Sequence, residues 1–248
     1  MTNQQSPLFG IGLYTVSDVA RFTGASRGQI SRWLFGHQRK YGNNIKVVDE
    51  PIWQPALEAT PETGRVLSFL DLMETRAVNL FAEKGVSARL IRKARKIIEK
   101  DYNHPYPFSS RYFETDGKKL FFKILEKKIL EEDEDSRKNS KIIEILSGQH
   151  EIHRVIEQSF IDIDWDNQLP RQWWIAGREK GIVLDPHRAF GQPIDNDSRI
   201  PVETLAMAVK ANNNSFEKAA REFEVPVETV KRAHAFYESK YLQSQAAA

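Results

Sequence analysis

Apolar residues recur along this chain at three- and four-residue spacings in several separate stretches, and polar, turn-rich segments divide them. That rhythm predicts a mainly α-helical protein with only small β-hairpins. The first stretch is Tyr14 to Leu34, YTVSDVARFTGASRGQISRWL. Thr15 with Asp18 three residues on predicts a capped first helix whose buried side is Val16, Val19, Ala20 and Phe22. Gly24 predicts a tight turn. Ser26 with Gln29 is an S-x-x-Q capping box for a second helix, which turns Ile30, Trp33 and Leu34 inward.

Val66 to Lys84 carries Leu67, Leu70, Leu72, Ala77, Leu80 and Phe81 on one predicted helical face, and Gly85 ends it. Ser87 caps the next helix, with Leu90, Ile91, Ala94, Ile97 and Ile98 inward. Arg89, Arg92, Lys93, Arg95, Lys96 and Lys100 fall on its opposite, outer face. Two prolines in His104 to Phe108 break the pattern. Tyr112 to Ile124 reads as a β-hairpin about Asp116-Gly117, a dipeptide suited to a two-residue turn. Glu126 to Lys141 is charge-rich and expected to be exposed, and Ile142 to Phe160 reads as helical. Trp173 to Leu184 predicts two short strands around Arg178 to Gly181.

The last stretch, Gly181 to Tyr237, begins with an extended segment punctuated by Asp185-Pro186, Gly191, Pro193 and Pro201. Three short helices should follow. The first spans Val202 to Ala211, with Asn212 to Asn214 as the turn after it. Ser215 caps the second, and Pro226 opens the third. The predicted divisions are therefore 1–100, 101–178 and 179–248.

Composition narrows the chemistry. The 248 residues include no cysteine, which removes disulfides, thiol nucleophiles and thiolate zinc sites. No apolar run approaches the roughly 18 residues that cross a bilayer, and the polar start, Met1 to Pro7, does not read as a secretory leader. A cytoplasmic protein with no membrane partner is expected. Net charge is only +2, but it is unevenly placed. Up to Val48 there are six cations, Arg21, Arg27, Arg32, Arg39, Lys40 and Lys46, against Asp18 alone. Glu126 to Pro170 holds twelve acids against six bases. A basic head points to a polyanion partner there.

The two-helix pattern gives that partner a geometry. A second helix packed on a first through Ile30, Trp33 and Leu34 leaves Arg27, Gln29, Ser31 and Arg32 outward near its start, as reading base edges in a major groove requires. Arginine suits guanine and glutamine suits adenine. The basic, turn-rich Gly36 to Val48 is a candidate wing, with His37, Arg39 and Lys40 placed for phosphates. Double-stranded DNA is the expected partner, bound by a homodimer because one small head reads only a short site.

Tyr14 to Trp33 resembles the helix-turn-helix of the MerR family, and LSFLDLMETRAVNLFAEKGVS resembles that family's following helices. Nothing resembles the effector or metal-ligand regions of MerR activators, and the cysteines those metal sensors use are absent. LDPHRAFGQPI, RIPVETL and the helical tail resemble a short bacterial domain found beside genes for PIN-like ribonuclease toxins. The whole order, including HPYPFSSRYFETDGKKLFF, resembles the longer VapB-type antitoxins. The resemblance implies a non-enzymatic antitoxin with no cofactor, a winged MerR-like head, a helical connector and a trihelical, helix-turn-helix-like tail. It implies binding to a PIN-like ribonuclease toxin and to the chain's own promoter. A regulator without a toxin, or a scaffold that uses its helix-turn-helix units for protein contacts, would share most of these features.

Other chemistries lack support. Asp162-x-Asp164-x-Asp166 opens like a calcium loop but has Asn167 and Trp173 where glycine and glutamate belong. His150 and His153 have no third ligand beside them. Gly10-x-Gly12 lacks the third glycine of a dinucleotide site. Trp173-Trp174 reads as core or interface, and the acidic run Glu131 to Asp135 as solvated charge.

Overall fold

The computed structural model describes residues 10–41, 44–60, 64–117, 119–124, 154, 156–157 and 160–242. Two compact units emerge: one of 15–161 with 165–170, and one of 1–14, 162–164 and 171–248. The described architecture is mainly helical with small sheets. No described helix is long and apolar enough to cross a membrane.

In the first unit, α1 (Val16–Thr23) and α2 (Arg27–Phe35) pack through Val19, Phe22, Ile30 and Leu34, all buried. Strands β1 (His37–Tyr41) and β2 (Asn44–Asp49) then pair as an antiparallel hairpin. Helix α3 (Phe69–Glu83) starts at Ser68, whose hydroxyl accepts from the Asp71 N–H while Asp71 accepts from the Ser68 N–H, a capping box. Helix α4 (Ala88–Tyr102) is capped by Ser87, as its sequence predicts.

Helix α3 buries more than its apolar stripe. Asp71, Glu74, Thr75 and Asn79 are also inside. Charges placed there require partners. Asp71 accepts the Trp53 indole N–H at 2.9 Å and the Ala56 N–H at 3.1 Å. Glu74 accepts from Arg95 Nε at 3.1 Å and from the Ser109 N–H at 2.9 Å. The expected outer position of Arg95 on α4 is therefore corrected: its side chain is 5% exposed. It is drawn inward because Glu74, Glu99 and the Pro105 carbonyl take its three nitrogens.

A second correction falls on Tyr112 to Ile124, which is not a hairpin. Phe113–Gly117 is one π-helical turn, and 119–124 is helical. Gly117 does not adopt the positive φ that the hairpin turn needs. Aromatic packing selects the helical form. Phe113 and Phe121 join Phe81 and Phe108 with ring centroids 4.6–6.0 Å apart. The predicted exposed run Glu126 to Lys141 and most of the predicted helix Ile142 to Phe160 lie outside the described residues.

Strands β3 (Ile163–Asp166), β4 (Leu169–Trp173), β5 (Ile182–Leu184) and β6 (Pro193–Asp195) form a sheet in that order. Trp173 pairs with Leu184 and Val183 with Ile194, both antiparallel. The two strands expected around Arg178 to Gly181 are thus present, the first beginning earlier, at Leu169. Helices α5 (Val202–Ala211), α6 (Phe216–Glu222) and α7 (Val227–Tyr237) enclose Leu205, Val209, Ala219, Val230 and Phe236. Asn213 and Asn214 take positive φ in the first turn, and Ser215 caps α6. Burial alone would raise the Asp195 carboxyl, but Arg232 of α7 and Ser198 hold it below the usual carboxylate range. That ion pair fastens α7 to β6.

The Glu74 site has a pH signature. Burial raises its carboxyl to about 7, although Arg95 and the Ser109 and Phe108 amides lower it. The folded state then holds the proton more tightly than the unfolded chain, so stability is greatest at low pH and falls as pH rises from 4.5 to about 7. At about 1.4 kcal/mol per unit the loss is roughly 3 kcal/mol. Urea unfolding at pH 4.5 and pH 7.5 should show wild type losing about that much relative to Glu74→Gln. Parallel behaviour of the two proteins would place the proton elsewhere.

Candidate nucleic-acid interface

The local sequence builds α1 and α2 as a tightly joined pair. Thr15 accepts from the Asp18 N–H at 3.1 Å, and Asp18 accepts from the Thr15 N–H at 3.0 Å. Gly24 closes α1 at φ +81, a left-handed conformation that glycine adopts without strain, and its N–H reaches Ala20 O at 2.9 Å. Two residues later Ser26 accepts from the Gln29 N–H at 3.2 Å while Gln29 Oε1 accepts from the Ser26 N–H at 3.0 Å.

With Ile30, Trp33 and Leu34 buried, α2 turns a polar face outward. Arg27, Gln29 and Arg32 are exposed and Ser31 is half-buried. Arg27 and Gln29 lie in the opening turn, where the helix dipole adds positive potential. Arg32 Nε lies 4.0 Å from Asp49 Oδ2 with both side chains well exposed, a pair too weak to hold the guanidinium back.

Gly36 takes φ +71, and a Cβ there would fall 2.6 Å from the Asp49 carbonyl oxygen. Glycine therefore lets the two ends of the hairpin meet. Along the hairpin His37 pairs with Asp49, Gln38 with Val47, Arg39 with Lys46 and Lys40 with Ile45, with an irregularity after His37. His37 is exposed, and the register sets two cationic residues, Arg39 and Lys46, opposite one another.

One part of this arrangement has no mark in the sequence. Arg92, assigned to the outer face of α4, donates from Nε to the Pro51 carbonyl at 3.0 Å and also reaches the Glu50 carbonyl. The Ile52 N–H donates to the Trp33 carbonyl at 2.6 Å. Together they fix the chain leaving the hairpin against both α2 and α4. The cationic i, i+3 repeat in α4 carried no sign that one member served the backbone.

The other three-helix element differs in charge. The first turn of α7 presents Glu228, bonded to Lys231 at 2.8 Å, after exposed Glu224. Asp164, in the stretch that imitates a calcium loop, is held by Gln172, Trp174 and Arg178.

What the geometry defines is a paired-helix module followed by a two-stranded hairpin, with cations on the second helix. No protein-family model matches the chain. It is 25% identical over 227 residues to a protein of Mycobacterium tuberculosis (strain ATCC 25618 / H37Rv) named "Putative antitoxin VapB45", covering 91% of this chain and 93% of that one. A crystal structure of Rv2018 from Mycobacterium tuberculosis shares the fold at TM-score 0.66 and 22% identity, covering 91% of this chain and 98% of that chain.

The Ser26–Gln29 cap yields a stability prediction. Gln29→Glu keeps the box and adds a negative charge to the first turn of α2, so thermal unfolding should report a gain of about 0.3–1 kcal/mol. A lower melting temperature would mean that the cap geometry does not govern this helix start.

Proposed function

We propose that this chain is an antitoxin of a toxin–antitoxin pair that also binds its own promoter as a dimer. The antitoxin role rests on the likeness, over nearly the whole of both chains, to the protein named as an antitoxin. The sequence resemblance to VapB-type antitoxins supports a PIN-like ribonuclease as the toxin. On this reading the chain acts by binding and carries out no catalysis of its own.

One observation carries the DNA half of the proposal: α2 offers Arg27, Gln29 and Arg32 to solvent at the start of a well-capped helix that is buried on its other side. That is how a winged helix-turn-helix presents a recognition helix to a major groove. Arg27 and Arg32 read guanine edges. Ser31, half-buried, is confined to a short contact. His37, Arg39 and Lys40 on the hairpin hold phosphates and set the register on the duplex. Gln29 has a narrower part than its residue type offers. Its Oε1 already accepts from the Ser26 N–H, so an adenine contact would share that oxygen with the cap.

Fluorescence anisotropy with DNA from upstream of the gene tests the DNA half. Arg32→Ala should weaken binding by about 1–3 kcal/mol, roughly 5- to 150-fold, and affinity should fall steeply with salt. Unchanged affinity would remove Arg32 from the readout, and salt-insensitive binding would reject phosphate contact. Growth of cells expressing the adjacent open reading frame, with and without this chain, tests the antitoxin half. A harmless neighbour, or an arrest this chain does not relieve, would leave a regulator with no toxin partner.

A further inference from the structure

Helix α4 carries a row of cations that the fold leaves unused. Its sequence places Arg89, Arg92, Lys93, Arg95, Lys96 and Lys100 outward, and the structure withdraws two of them. Arg95 is buried against Glu74, and Arg92 donates to the Pro51 and Glu50 carbonyls. Arg89, Lys93, Lys96 and Lys100 remain, all exposed. None of the four makes an ion pair or a side-chain hydrogen bond among the described residues. Helical geometry sets them within an arc of about 60°, along roughly 16 Å of the helix. The acids of α4 lie off that line. Glu99 is turned to Arg95, and Asp101 falls about 100° beyond Lys100.

Such a row lowers the stability of the free helix. Like charges three and four residues apart repel one another. Arg89 also sits in an opening turn that holds no acid, where the helix dipole disfavours a cation. Folding therefore gives no reason for the row.

Its surroundings narrow the partner. Arg92, beside the row on the helix surface, holds the strand leaving the hairpin, and Asp49 at the end of that hairpin lies 4.0 Å from Arg32 of α2. The row is thus joined, through a few residues of one unit, to the elements assigned above to DNA. A partner whose negative charge is repeated at short intervals along a line is a nucleic-acid duplex. Lys96 lines a cavity together with the Glu50 and Glu99 carboxylates, so the assignment rests on the other three cations.

We propose that α4 is a second foothold on DNA, in which Arg89, Lys93 and Lys100 hold phosphates of the duplex beyond the bases that α2 reads. The inference rests on the DNA half of the functional reading and deepens it, because it gives much of the sequence-independent affinity to a separate helix.

The test combines Arg89→Gln, Lys93→Gln and Lys100→Gln in the full chain. Anisotropy is followed over a salt series, with the upstream duplex and with an unrelated duplex of equal length. Each phosphate contact contributes about 0.9 to the slope of log affinity against log salt, so the variant's slope should be shallower by about 2.7 on both duplexes. Between about 50 and 200 mM salt, wild type should then lose roughly forty-fold more affinity than the variant. Arg89→Lys, Lys93→Arg and Lys100→Arg together should keep the wild-type slope. The melting temperature of the glutamine variant should hold or rise, since repulsion is removed. Lys93→Gln alone, too mild to unfold the chain, should shift the slope by about 0.9. Wild-type slopes in these glutamine variants, or a loss confined to the upstream duplex, would overturn the proposal. Lost toxin neutralisation with an unchanged slope would also overturn it and assign the row to the toxin. A wild type that binds neither duplex would overturn the DNA reading as well, whereas a wild type that binds and a variant that matches it would overturn this proposal alone.

Discussion

Two carboxylates one turn apart on α3, Asp71 and Glu74, organise the first unit. Each is fully buried, and each serves a different neighbour in the chain. Asp71 receives the indole of Trp53 and the backbone of Ala56, so the segment after the hairpin is anchored to α3. Glu74 receives Arg95 and the amides of Phe108 and Ser109, which tie α4 and the segment after it to the same helix. Taking charges out of water is costly, and an apolar core of equal volume would be at least as stable. What the carboxylates provide is directional. A hydrophobic face accepts many packings, whereas a buried carboxylate left without its donors costs several kcal/mol. The competing packings are therefore destabilised more than the native one.

This constraint reaches the proposed interface through short links. Trp53 is two residues beyond Pro51, whose carbonyl is held by Arg92. Ile52, between them, is hydrogen-bonded to Trp33 of α2. The chain leaving the hairpin is thus pinned at three consecutive residues, to α4, α2 and α3 in turn. An interface that reads base edges needs side chains held within a fraction of an ångström, and surface helices owe such precision to the groups behind them. The exposed cations of α2 contribute little to stability. The polar groups that position them are out of solvent.

What the sequence disclosed follows the range of the interactions. Caps at Thr15, Ser26, Ser87 and Ser215 are decided within three residues, and the chain alone locates them. The exposure of Arg27, Gln29 and Arg32 follows from helical periodicity once the caps are set. Periodicity puts Arg95 on the outer face because it assigns a face without saying what waits there; Glu74 is 21 residues away in the chain. The sequence from Tyr112 points to a hairpin because Asp116-Gly117 is a strong local turn signal. Four phenylalanines drawn from Phe81 to Phe121 outweighed it, and only tertiary packing brings them together. The positive φ of 53° at Phe190 has no signal in the sequence, since nothing in its neighbours demands a left-handed aromatic residue.

The two helical modules show how little architecture says about function. Helices α1 and α2 form a pair joined by a short turn, and so do α6 and α7, although α7 opens at Pro226 without a side-chain cap. Their opening turns differ in charge. The opening turn of α2 carries Arg27 and no acid, so the helix dipole and the side chain favour an anion together. The opening turn of α7 carries Glu228, and exposed Glu224 precedes it. Arg232, which might have offset them, faces Asp195 and Asp197. The same supersecondary form thus carries a cation in the opening turn of its second helix in one unit and a carboxylate in the other, and shape alone assigns neither a partner.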